Sequence, residues 1–156
     1  MCDVFLPPSS VLSRNVAPIA ATRAAEAGPS VGRRERPYRI LVVEDSFLVV
    51  TLLDRIFEDL GWGLVGPATR VADALQLAHS GVFDAALLDV NLNGEMSWEV
   101  ARLLAERGVP FVFSTGYDAT VLPADLAGAT VISKPFRIRE VEDRIRQAIG
   151  ARRAGP

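Results

Sequence analysis

Ile40-Leu41-Val42-Val43 is an unbroken, β-branched-rich apolar run, and Glu44 and Asp45 follow it directly. A strand with no polar face must be covered on both sides. That situation arises where helices pack on both faces of a parallel sheet. The next residues meet that demand. Val49, Leu52, Leu53, Ile56, Phe57 and Leu60 recur at helical spacing, and Gly61 follows as a left-handed helix stop.

The alternation repeats along the chain. Trp62 to Val65 reads as a second strand, and Arg70 to His79 as a helix with Val71, Ala74, Leu75 and Ala78 on one face. Ala85 to Leu88 forms a third strand ending at Asp89, and residues 96–107 a helix through Met96, Val100, Leu103 and Leu104. Phe111-Val112-Phe113 is a fourth strand ending at Ser114 and Thr115. Val131-Ile132 belongs to a fifth that ends near Lys134, and Val141, Ile145, Ala148 and Ile149 mark a last helix. Strands alternating with helices predict an open parallel α/β sheet whose right-handed crossovers cover both faces. Pro123 leaves room for little helix between Asp118 and Ala127, so the fourth helix is expected to be short.

Residues 1–36 contrast with this order. They hold four prolines, many Ala and Ser, and no sustained apolar period, and read as a flexible leader. The ordered domain is expected over 37–150, with a short tail over 151–156. Forty-nine per cent of the chain is apolar, enough for a sizeable core, and the net charge of -2 speaks against broad electrostatic nucleic-acid binding. The single cysteine, Cys2, and single histidine, His79, exclude an internal disulfide and a multi-histidine metal site. His79 reads as a surface-helix residue. With no apolar run of spanning length, no membrane segment is expected, and a cytoplasmic location suits the chain.

Ligands of open α/β sheets gather beyond the C-terminal strand ends, where Glu44, Asp45, Asp89, Thr115 and Lys134 all fall. Crowded carboxylates resist ionising together, and a hard divalent cation relieves them. Mg2+ takes oxygen ligands. Asp45 and Asp89 are the expected direct ligands, Glu44 binds directly or through water, and the Asn91 backbone carbonyl is a further oxygen. Asp89 is then placed to attack phosphorus with a carboxylate oxygen. The Thr115 hydroxyl and the Lys134 ammonium would hold phosphoryl oxygens. Lys134 is the only lysine, against sixteen arginines, which suggests a demand for a compact ammonium at that position.

The ordered set Ile40-Leu41-Val42-Val43-Glu44-Asp45, Leu87-Leu88-Asp89-Val90-Asn91-Leu92, Ser114-Thr115-Gly116 and Lys134-Pro135-Phe136 closely resembles the receiver domains of two-component response regulators. The resemblance covers about residues 38–150. It implies a five-stranded, doubly wound, flavodoxin-like fold that uses Mg2+. It also implies transfer of a phosphoryl group to Asp89 from a sensor histidine kinase or histidine phosphotransfer protein. In that family Thr115 is the switch hydroxyl, Lys134 contacts the phosphoryl group, and the bond before Pro135 is usually cis. Pro110 to Tyr117 is similar to a motif of stand-alone alphaproteobacterial receivers reading Phe-Ala-Thr-Gly-x-Tyr, although Ser114 replaces the alanine and Tyr117 directly follows Gly116.

One departure matters. The family's aromatic switch residue lies three positions before the lysine, where this chain has Val131. Tyr117 is the expected substitute. No effector-domain pattern follows the last helix, so output is expected through altered protein contacts. A phosphorelay intermediate or phosphate sink and a phosphorylation-independent adaptor are the alternatives. Receivers often pair through their fourth and fifth helices, which leaves a weak homodimer open. Trp98 and Phe136 are expected in the core.

Overall fold

The computed structural model of the protein describes residues 36–116 and 122–153. In chain order they form β1 (Arg39–Val43), α1 (Phe47–Leu60), β2 (Gly63–Ala68), α2 (Val71–Ser80) and β3 (Ala85–Asp89). A small pair of strands follows, β4 (Asn91–Leu92) and β5 (Glu95–Met96). Then come α3 (Trp98–Glu106), β6 (Phe111–Thr115), a 3-10 turn (Ala124–Leu126), β7 (Thr130–Ser133) and α4 (Ile138–Arg153). The main sheet has five strands in the order β2-β1-β3-β6-β7, every pair parallel.

Ile40, Leu41, Val42 and Val43 are fully buried because both sheet faces are covered. Ile40 and Val42 join Leu53, Ile56 and Phe57 of α1 and Val141, Ile145 and Ile149 of α4 on one face. Leu41 and Val43 join Ala74 and Ala78 of α2 and Val100 and Leu104 of α3 on the other. Each large apolar side chain so buried stabilises the fold by about 1.5–3 kcal/mol. Strand order reverses direction between β1 and β3, and the crevice at such a reversal is where open α/β sheets bind ligands. Trp98 packs edge-on to Phe113, and Phe136 is buried in the α1/α4-side cluster, as expected for core aromatics. His79 lies exposed near the end of α2.

Several local expectations are corrected. Met96 does not open the third helix. It sits exposed in β5, paired with Asn91, and α3 begins at Trp98. The second strand runs to Ala68 rather than stopping at Val65, with a cis Gly66–Pro67 bond. Proline is tolerated there because β2 is an edge strand. Gly66 takes φ +97, and a Cβ on it would meet the Ala68 nitrogen at 2.9 Å and the Val42 carbonyl at 3.0 Å. The last helix continues through Gly150 to Arg153, into the expected tail. Arg152 and Arg153 in its final turn complement the helix dipole, and the Arg153 guanidinium lies over the Tyr38 ring. Among the described residues the short fourth helix is reduced to the 3-10 turn, where Asp125 pairs with Arg102 of α3 at 2.7 Å.

Arg36, assigned to the leader, is bonded to Asp84 at 2.6 Å. The remainder of the leader, Tyr117 and residues 154–156 lie outside the described residues. Among the described residues no helix is long and apolar enough to cross a membrane.

Candidate functional site

Four strand ends converge on one cluster. Glu44 and Asp45 follow β1, Asp89 closes β3, Thr115 closes β6 and Lys134 follows β7. One carboxylate oxygen from each of Glu44, Asp45 and Asp89 lies within 4.8 Å of the others. The Lys134 ammonium donates to Glu44 Oε2 at 2.6 Å and to Asp89 Oδ2 at 2.7 Å. Glu44 is only 1% exposed, yet both its oxygens are held: the Ser46 amide donates to Oε1 at 3.1 Å. The Asn91 amide donates to Asp89 Oδ1 at 3.2 Å. The Lys134–Pro135 bond is cis, and the Lys134 amide donates to the Thr115 carbonyl at 2.7 Å. That bond extends the β6–β7 ladder and brings the lysine to the rim beside the buried Thr115.

Burial pushes the Glu44 carboxyl above its ordinary range, more strongly than the Lys134 hydrogen bond draws it down, and the nearby Asp89 charge adds to the rise. Burial alone would lower the Lys134 ammonium. Its bonds to Asp89 and Glu44 outweigh that and hold it above its ordinary value. Three carboxylates against one ammonium leave an excess of negative charge, with every donor a hard oxygen. Oxygens this close can share one ion with little side-chain movement, so the residues fit Mg2+.

Glu44, Asp45, Asp89 and Lys134, all singled out from the sequence, therefore lie in one cluster, and Thr115 stands at its border through the bond from the Lys134 amide to its carbonyl. Asn91 lies at the cluster's edge. Val131 is registered against Phe113 one strand away and packs into the α2/α3-side core. Two contributors escaped the sequence reading. Ser97, fully buried, donates its hydroxyl to the Asp89 carbonyl at 2.6 Å, and the Asn93 amide donates to Asp45 Oδ2 at 2.8 Å. The Asn93-Gly94 dipeptide, a strong hairpin signal, could have revealed the second.

The response regulator receiver domain family matches residues 40–146. Transcriptional regulatory protein DltR of Streptococcus agalactiae serotype III (strain NEM316) is 32% identical over 113 residues, which cover 69% of this chain and 50% of that protein. The chain thus spans about half the length of the curated relatives it matches. The solution structure of SdrG from Sphingomonas melonis Fr1 superposes with a TM-score of 0.66 at 37% identity, covering 75% of this chain and 99% of SdrG. The receiver domain of sensor histidine kinase PA1611 from Pseudomonas aeruginosa PAO1 has a magnesium ion coordinated in its active-site cleft. It superposes with a TM-score of 0.62 at 24% identity over 74% of this chain and 99% of that one, a likeness of fold.

Proposed function

The chain belongs to the response regulator receiver family, and on that premise we propose that Asp89 accepts a phosphoryl group in a Mg2+-dependent reaction. The donor is the phosphohistidine of a sensor histidine kinase or histidine phosphotransfer protein. The observation that carries this reading is the position of the Asp89 carboxylate. It stands at the end of the central β3, 2.7 Å from the Lys134 ammonium and grouped with Glu44 and Asp45.

An Asp89 oxygen attacks phosphorus, an O–P bond forms, and the donor's P–N bond breaks with its electron pair leaving on the imidazole nitrogen. Lys134 then offers its charge to a phosphoryl oxygen, and the Thr115 hydroxyl donates a hydrogen bond to another. Glu44, Asp45, Asp89 and the Asn91 carbonyl would hold the ion, whose chemistry is neutralisation of charge between nucleophile and phosphoryl oxygens.

A protein donor also needs a surface. Phe47 and Leu48, each 79% exposed, stand at the start of α1, and a shallow groove beside them is lined by Val49, Leu52, Lys134, Pro135 and Phe136. This apolar rim is continuous with the acidic cluster through Lys134, which suits it to the donor protein. The output is altered protein–protein contact, driven from Thr115 and the segment that follows it.

The test is phosphoryl transfer from a panel of phosphorylated histidine kinases to the wild-type and Asp89→Asn proteins, with and without Mg2+. Transfer that needs both Asp89 and Mg2+ supports the reading. Undiminished transfer to Asp89→Asn refutes it.

A further inference from the structure

Between Asp89 and α3 the chain makes a hairpin whose tip reaches back to the acidic pair. Its two turn residues, Asn93 and Gly94, both have positive φ, 53° and 94°. That is the pattern of the type I′ hairpin turn. In this conformation the Asn93 N–H donates to Asp45 Oδ2 at 2.8 Å, across 48 residues of sequence. The turn is braced by the Gly94 N–H, which donates to Asn91 Oδ1 at 2.6 Å. The base of the hairpin is anchored at Asp89. The Ser97 hydroxyl donates to the Asp89 carbonyl at 2.6 Å, and the Ser97 N–H to the Val90 carbonyl at 3.1 Å. One hairpin is therefore tied to the acceptor at its base and to the acidic pair at its tip.

We infer that Asn93 is a positioning residue for the cation: its left-handed backbone aims an amide at Asp45, fixes that carboxylate's orientation, and leaves Oδ1 for the metal. The inference rests on reading Glu44, Asp45 and Asp89 as the Mg2+ site. Asp45 is only partly buried, and a carboxylate so placed turns about its side-chain bonds unless something holds it. A backbone N–H on a carboxylate is a charge-assisted bond, short and directional. Every non-proline residue supplies an amide. Asparagine contributes tolerance of positive φ, where β-branched residues are strongly disfavoured.

The experiment varies that tolerance. MgCl2 is titrated into the full chain, followed by backbone amide NMR shifts, for wild type, Asn93→Gly and Asn93→Val, with thermal unfolding of each as the check on folding. Loss of a group that orients a metal ligand weakens affinity about tenfold or more. Asn93→Val is expected to bind Mg2+ about tenfold more weakly, and Asn93→Gly to stay within about twofold of wild type. Should Asn93→Val not fold, Asn93→Ala takes its place with the same direction of effect. A folded Asn93→Val that binds as tightly as wild type overturns the inference and leaves the metal site standing. A wild type that binds no Mg2+ overturns the metal reading and the inference with it. A metal-free readout stands beside these: Asp45→Asn is expected to move the Asn93 amide proton upfield, and an unmoved resonance overturns the hydrogen bond itself.

Discussion

Substituting Lys134→Met keeps the length and apolar stem of the side chain and deletes its charge. The ammonium now lies 2.6 Å from Glu44 and 2.7 Å from Asp89, whose side chains are 2% and 12% exposed. Charges this close attract by about 6 kcal/mol at an effective dielectric constant of 20, before the opposing loss of hydration is counted. Cutting one partner from a buried pair destabilises by about 3–5 kcal/mol, because the other charge stays buried without compensation. Lys134 is itself 21% exposed and Glu44 keeps the Ser46 amide. The low end, about 3 kcal/mol, is therefore expected, which lowers Tm by roughly 10 °C in a domain of this size. Thermal unfolding by circular dichroism at neutral pH, with and without Mg2+, measures it. Mg2+ should raise the Tm of Lys134→Met more than that of wild type, since the cation then faces three carboxylates with no ammonium among them. A Tm within about 2 °C of wild type, with the same response to Mg2+, would mean that the ammonium does not offset the buried carboxylates.

Two further outcomes are expected. Phe47→Ala with Leu48→Ala should change stability by no more than about 0.5 kcal/mol, as both side chains are mostly exposed. It should slow transfer from a phosphorylated kinase about tenfold while leaving phosphorylation by acetyl phosphate unchanged; equal rates from the kinase would remove the apolar rim from the account. Gly66→Ala should lose about 1–3 kcal/mol through strain at positive φ. Because the Ala68 carbonyl accepts the Glu44 amide at 2.9 Å, the same change should also weaken Mg2+ binding in a calorimetric titration. An unchanged Tm would count against it.

The rim of the sheet was legible because each central strand is an apolar run cut off by a polar residue. Ile40 to Val43 before Glu44, and Ala85 to Leu88 before Asp89, display both the buried strand and its functional end. The hairpin at 91–96 was less visible. Met96 continues the helical spacing of Val100, Leu103 and Leu104, so periodicity absorbs it into α3, whereas the Asn93-Gly94 turn holds it outside. The extension of β2 past Val65 was hidden by Gly66 and Pro67, which ordinarily end strands and here occupy a sheet edge. Gly150 reads as a helix stop, but contacts made by the last turn carry α4 beyond it. The bonds of Lys134 to two carboxylates join residues 44, 89 and 134. Sequence spacing alone contains no signal for that pairing, which arises only when three parallel strands end together.

Trapping the acyl phosphate identifies the acceptor residue itself. The protein is phosphorylated by acetyl phosphate in Mg2+, reduced with borohydride, and digested for mass spectrometry. Conversion of Asp89 alone to homoserine is expected, abolished by removing Mg2+. Reduction at Asp45 or Glu44 instead, or none at Asp89 when the intact protein carries a phosphoryl group, would move the acceptor away from Asp89.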